Sequence, residues 1–67
     1  MMAVAKISEI TAESNVSFED AIQQGIDRAS KTIRGIRGAW VKEQKVRVEN
    51  GKVTSYRVDM KVTFVLD

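Results

Sequence analysis

The segment Tyr56–Leu66 alternates between apolar and polar side chains along most of its length. The even positions are apolar and the odd ones mostly polar: Tyr56, Val58, Met60, Val62, Phe64 and Leu66 against Arg57, Asp59, Lys61 and Thr63. Successive side chains of a β-strand point to opposite faces, so this period of two predicts one long strand with an apolar and a polar face. Its β-branched and aromatic residues favour the same structure.

A helix is predicted to begin after Ser17. The Ser17 hydroxyl can accept a hydrogen bond from the amide of Asp20, as N-terminal capping residues do. Apolar residues then recur at helical spacing and form one stripe: Phe18, Ile22, Ile26, Ala29 and Ile33. The small residues Ala21 and Gly25 would let a sheet approach this stripe closely. The helix is predicted to run to Ile33 or Arg34, with Gly35 as the left-handed residue that follows it.

Strand patterns flank this helix and complete the fold. Residues 3–11 are predicted to form a first strand, followed by a loop over residues 12–16, and residues 39–49 a second. Asn50-Gly51 then predicts a two-residue β-hairpin that leads into the last strand. The order is β-α-β-β, so we expect an α+β fold in which a three-stranded antiparallel sheet packs on one helix. Residues 1–67 form a single domain.

The hairpin predicts which residues of the last two strands face each other. On the apolar face the expected pairs are Val41 with Met60 and Ala39 with Val62. On the polar face they are Gln44 with Arg57, Lys42 with Asp59 as an ion pair, and Trp40 with Lys61. The only Trp of the chain thus lies on the face away from the helix. There it favours either a subunit contact or a platform for a flat ligand.

A domain of 67 residues is too small to bury a large core. Small domains are commonly stabilised by disulfides, by a metal or by association. The sequence has no Cys and no His, which removes disulfides and the usual zinc ligands. We therefore expect the chain to assemble with copies of itself.

Several functional classes find little support in the sequence. The net charge of +2 comes from interspersed charges, which favours a solvated surface over a nucleic-acid interface. No long apolar run predicts a signal peptide or membrane span, and the lack of Cys fits the cytoplasm. No group of residues suggests catalysis, so we do not expect an enzyme. Basic residues flank the second strand, where a solvated rim is favoured over an anion site: Arg34, Arg37, Lys42, Lys45 and Arg47.

Two segments, FEDAIQQGIDRASKTIR at residues 18–34 and Tyr56–Asp67, resemble the dodecin family, and the resemblance extends over nearly the whole chain. It implies a β-α-β-β protomer, twelve of which form a hollow shell of cubic 23 symmetry. It also implies a non-enzymatic store that holds pairs of flavins, such as riboflavin or FMN, between subunits. In known dodecins a Trp stacks on the flavin ring and a Gln in the last strand hydrogen-bonds it.

This chain departs from the family at both of those positions. In an ungapped alignment the Trp position falls on Gly38 and the Gln position on Arg57, while Trp40 stands two residues later on the same face. Arg57 has donors and no acceptor, so it cannot replace the Gln fully, although it could pair with a phosphate. The candidate ligand-binding residues are therefore Trp40, Arg57, Gln44 and Gly38.

The segment 36–44 resembles a further branch of the family, the calcium dodecins. This resemblance implies a structural cation, calcium or magnesium, whose ligands one protomer does not reveal. Three hypotheses follow. The chain is a dodecameric shell with weak or lost flavin binding, a working flavin store with Trp40 as the stacking group, or a shell stabilised by cations.

Overall fold

The computed structural model describes residues 4–66. Within them the elements are β1 (Val4–Ser14), α1 (Phe18–Ala29), β2 (Ile36–Glu49) and β3 (Lys52–Leu66). The strands form one antiparallel sheet in the order β1-β3-β2, so the last strand lies in its centre. This confirms the predicted β-α-β-β order and the α+β class.

The cap that starts α1 is the predicted one. Ser17 has an extended backbone, and its hydroxyl accepts a hydrogen bond from the amide of Asp20 at 2.9 Å. The Asp20 carboxylate accepts further hydrogen bonds from the Ser14 hydroxyl and the Gln24 amide. The cap therefore also joins the end of β1 to the first turn of the helix.

The helix ends at Ala29, so the prediction that it runs to Ile33 or Arg34 is wrong. The Ser30 hydroxyl donates to the carbonyl of Ile26 at 2.7 Å, and the next amides bond three residues back, from Lys31 to Arg28 and from Thr32 to Ala29. These bonds tighten the chain into turns, since Ser and Thr favour helix ends over helix interiors. Gly35 does have a left-handed backbone, with φ +75°, but lies beyond these turns.

Removing the cap gives a first testable expectation. Ser17→Ala should lower the free energy of unfolding by about 1 kcal/mol, because the Asp20 amide loses its acceptor. Urea unfolding at equal protein concentration measures the change. Ser30→Ala, which removes an exposed hydroxyl at the other end of α1, should change it by less than about 0.5 kcal/mol. Equal losses in the two variants would contradict the capping role.

The core lies between α1 and the strands β1 and β3. Ala21, Val58 and Met60 are fully buried at its centre. The partly buried apolar residues around them are Ile10, Ala12, Phe18 and Ile22. The Phe18 and Tyr56 rings meet edge to face, with centroids 5.1 Å apart. A Cβ atom on Gly25 would lie 2.6 Å from Met60 Cε, so this glycine permits the close approach that its position in the stripe predicted.

Two strand boundaries differ from their predictions. β1 continues to Ser14 instead of ending at Thr11, because Ala12 pairs with Val58 and Ser14 with Tyr56 of β3. Its predicted start at Ala3 lies outside the described residues. β2 begins at Ile36, three residues before the predicted start. Pairing to the central strand thus overrides the turn-forming composition of both segments.

The hairpin turn is confirmed. Asn50 and Gly51 have φ of 52° and 75°, and both values are positive, as a type I′ turn requires. The pairs of Trp40 with Lys61, Val41 with Met60 and Ala39 with Val62 are also as predicted.

The predicted pairs of Gln44 with Arg57 and of Lys42 with Asp59 are wrong. Lys45 faces Arg57, and Glu43 faces Asp59. An unpaired residue in β3, Thr54, shifts the register by one, and a second in β2, Lys42, restores it. A one-residue shift moves a side chain to the other face of the sheet, so these β-bulges change the faces of residues 43–47.

Candidate ligand-binding site

We call the sheet face away from α1 the open face. The pairings place residues on it in rows across β1, β3 and β2: Glu9, Lys61 and Trp40; Thr11, Asp59 and Glu43; Glu13, Arg57 and Lys45; and finally Ser55 of β3 with Arg47 of β2. Within residues 4–66 no element packs on this face. Its side chains are therefore available to a ligand or to another copy of the chain.

Trp40 lies on the open face opposite Lys61, with 47% of its surface exposed. This confirms the predicted face. Gly38 lies one row further along, opposite Thr63, whose hydroxyl donates to the Gly38 carbonyl at 3.1 Å. A Cβ atom on Gly38 would meet only the Thr63 hydroxyl, at 3.4 Å. The position therefore has room for a side chain and carries none.

The four predicted site residues do not form one cluster in the protomer. Arg57 lies on the open face but four residues along β3 from Lys61, roughly 13 Å from the row of Trp40. Gln44 faces Val58, which is buried under α1, so it lies on the opposite face of the sheet. A single ligand could contact Gly38, Trp40 and Arg57 together only if different protomers supplied them.

The charges on the open face are paired differently from the prediction. Lys42 Nζ lies 3.6 Å from Glu9 Oε2, and both side chains are largely exposed. Such a pair contributes about 0–1 kcal/mol. Asp59, the predicted partner of Lys42, instead faces Glu43, and its buried Oδ1 has no hydrogen-bond partner among residues 4–66.

A group of basic residues on this face is the part of the site that sequence reasoning missed. Lys45, Arg47 and Arg57 line a cavity of about 260 Å³ together with Glu13, Val46 and Ser55. The alternation of Lys45 and Arg47 is visible in the sequence. Their shared face with Arg57 depends on the bulge at Thr54, which has no clear sequence signal.

A hard cation such as calcium prefers six to eight oxygen ligands. In the part of the chain that the structure describes, no three His, Cys, Asp or Glu residues are grouped to hold a metal. Asp59, with its unpartnered oxygen, and Glu43 opposite it supply two carboxylates. The donors of one protomer are therefore too few for calcium, and a cation here would need oxygens from further copies. The helix of residues 18–29 is neither long nor apolar enough to cross a membrane.

Comparison with known proteins gives one family. The sequence model of the Dodecin family matches residues 4–67. The calcium dodecin of Mycobacterium tuberculosis is 33% identical over 63 residues, which are 94% of this chain and 89% of that protein. Ribonuclease HII of Listeria monocytogenes is 33% identical over 55 residues, but the chain spans only 21% of that enzyme. That match therefore carries no argument about activity.

Solved structures agree with the sequence match. A variant of the Thermus thermophilus dodecin superposes with a TM-score of 0.92 at 33% identity, covering 98% of each chain. The Streptomyces davaonensis dodecin gives 0.90 at 31%, covering 97% of this chain and 96% of that one. The M. tuberculosis calcium dodecin, described with a calcium-binding site, gives 0.80 at 34%, covering 96% and 91%. The chain belongs to the dodecin family, and its resemblance to that family is confirmed.

Proposed function

We propose that this protein forms a hollow homododecamer that binds or stores small ligands, and that its flavin pocket is altered so that flavin binding is weak or lost. The observation that carries the proposal is the pair of departures on the open face. Gly38 stands where the family resemblance expects the stacking Trp, and Arg57 where it expects the Gln. We further propose that the shell acts in the cytoplasm and is not an enzyme.

The uncovered state of β2 supports assembly. α1 packs on β1 and β3, and no residue of β2 is buried within residues 4–66. Apolar side chains are exposed along β2 and the hairpin: Trp40, Val41, Val46, Val48 and Val53. A contiguous exposed apolar surface is typical of an interface, and a domain this small gains stability from covering it.

The chemistry of the two changed positions supports weak flavin binding. Glycine offers no ring to stack on a flavin, and stacked aromatic pairs contribute about 0.5–1.5 kcal/mol. Arginine can donate to the acceptors of a flavin edge but cannot accept from its N–H group, which would be left without a partner. Both changes therefore act against the flavin ring.

Trp40 favours a second candidate, a working flavin store. Its half-exposed ring lies on the same face as Gly38, two residues further along β2. If neighbouring protomers bring two such rings together, Trp40 could stack on a flavin from a displaced position. In that case Trp40 takes the role of the missing Trp.

A third candidate, a cation-stabilised shell, is supported by the calcium dodecin relative and by the unpartnered Asp59 Oδ1. Calcium or magnesium bound by carboxylates of several protomers would hold the shell together. EDTA would then reduce the assembly to smaller species on a sizing column, and added calcium would restore it. An assembly indifferent to EDTA contradicts this role.

Flavin titration tests the main proposal. Riboflavin and FMN at micromolar concentration should lose little fluorescence when the protein is added, because the pocket lacks the stacking ring. Strong quenching would contradict the altered pocket and favour the working store. Quenching that disappears in Trp40→Ala would identify Trp40 as its stacking group.

Restoring the family residues should restore binding. We expect Gly38→Trp with Arg57→Gln to bind riboflavin roughly tenfold more tightly or better, since stacking and one hydrogen bond each contribute on the order of 1 kcal/mol. Gly38→Ala with Arg57→Gln is the matched control and should not gain affinity. Fluorescence titration measures both variants. An unchanged affinity in the Trp variant would show that these two positions do not limit flavin binding.

A further inference from the structure

The bulge at Thr54 brings three cations onto one surface. In an unbroken register Gln44 would face Arg57, and Lys45 and Arg47 would point to the helix side of the sheet. The inserted Thr54 instead places Lys45 opposite Arg57 and Arg47 opposite Ser55. All three basic side chains therefore lie on the open face in two adjacent rows.

These side chains surround an open space. The cavity that they line, with Ser55, Val46 and Glu13, has a volume of about 260 Å³. One water molecule occupies roughly 30 Å³ in the liquid, so the space accommodates a group several times larger. Three cations against the one carboxylate of Glu13 give the lining an excess of two positive charges.

The carboxylates nearby leave these cations available. The one ion pair among residues 4–66 is Lys42 with Glu9, which involves none of the three. Asp59 lies next to Arg57 on the same face, yet its Oδ1 accepts no hydrogen bond from it. Like charges directly opposed across a sheet, as in Lys45 and Arg57, destabilise it. An anion between them would remove that repulsion.

We propose that this cavity, which we call the cation cavity, binds the phosphate group of a small ligand. The guanidinium groups of Arg47 and Arg57 match phosphate oxygens bidentately, Lys45 adds a point charge, and the Ser55 hydroxyl can donate a further hydrogen bond. The proposal rests on the small-ligand role given above and specifies its ligand class as phosphorylated. Arg57 then selects for phosphate at the position where the family resemblance expects a flavin-binding Gln.

The test uses pyrophosphate and isothermal titration calorimetry at low ionic strength with the assembled protein. Arg57→Gln and Lys45→Gln should each weaken pyrophosphate binding by at least about tenfold, because each removes a charge-assisted contact. Lys52→Gln is the matched control, since Lys52 lies in the same hairpin, opposite Glu49, and does not line the cavity. It should change the affinity by less than about twofold. Circular dichroism and gel filtration verify that every variant folds and assembles.

The source of the phosphate is separated by comparing FMN with riboflavin, which differ by that group. FMN binding that needs Arg57, with no riboflavin binding, supports a phosphorylated flavin as the ligand. Pyrophosphate binding that needs Arg57, with neither flavin bound, supports a free phosphate or diphosphate group.

Two outcomes overturn the cation cavity. One is no binding of pyrophosphate or FMN by the unaltered protein. The other is an equal loss in Lys52→Gln, which would indicate general attraction to a basic hairpin. The proposed function fails separately: strong quenching of riboflavin, which carries no phosphate, contradicts the altered flavin pocket whatever pyrophosphate does.

Discussion

Met60→Asp should leave the protein without a folded structure. Met60 is fully buried between α1 and the sheet, where its side chain touches the space left by Gly25. The change removes a large core side chain, at about 2–5 kcal/mol, and adds a carboxylate that has no partner there. Because small domains have only about 5–15 kcal/mol of stability or less, the sum is enough to prevent folding. Far-ultraviolet circular dichroism and the yield of soluble protein measure the effect.

Val53→Asp is the matched control for that prediction. It places the same charge on the same strand, at a position where the valine is 47% exposed in the protomer. The variant should keep its secondary structure, because water can solvate the new carboxylate. A soluble, folded Met60→Asp protein would show that the apolar face of β3 is assigned to the wrong side of the sheet.

Val46→Asp combined with Val48→Asp should break the assembly. Both valines lie on β2 with exposed side chains, 40% and 55% in the protomer, on the part of the hairpin that α1 does not cover. If copies of the chain bury this surface, two carboxylates placed in it leave charges without partners and open the interface. Light scattering after gel filtration should show protomer mass in place of dodecamer mass. The dissociated chain should also melt at a lower temperature, since association stabilises the folded state.

The control for dissociation is Lys31→Asp, which alters the net charge by the same two units in the exposed turn after α1. It should leave the mass of the assembly unchanged. Should the double valine variant keep the full mass, these residues lie outside the interfaces and β2 is covered in another way. Should both variants dissociate, the change in net charge and not the position is responsible.

Much of the fold was predictable because its signals are local. The alternation of residues 56–66, the Ser17 cap and the positive φ of Asn50 and Gly51 each depend on near neighbours in the chain. Strand boundaries were less predictable, since β1 reaches Ser14 through pairing with distant Tyr56. The helix end was missed because Ser30 redirects its hydroxyl to the carbonyl of Ile26, a choice that an apolar stripe does not report.

The candidate site divides in the same way. The sequence alone determined that Trp40 and Arg57 lie on the face away from the helix, because strict alternation fixes the faces of β3 and the hairpin turn carries them to β2. Only the tertiary structure decided that Lys45 and Arg47 share that face while Gln44 does not. Two bulges shift and then restore the register, and a bulge depends on how three strands twist and pair together, which local residue preferences do not encode.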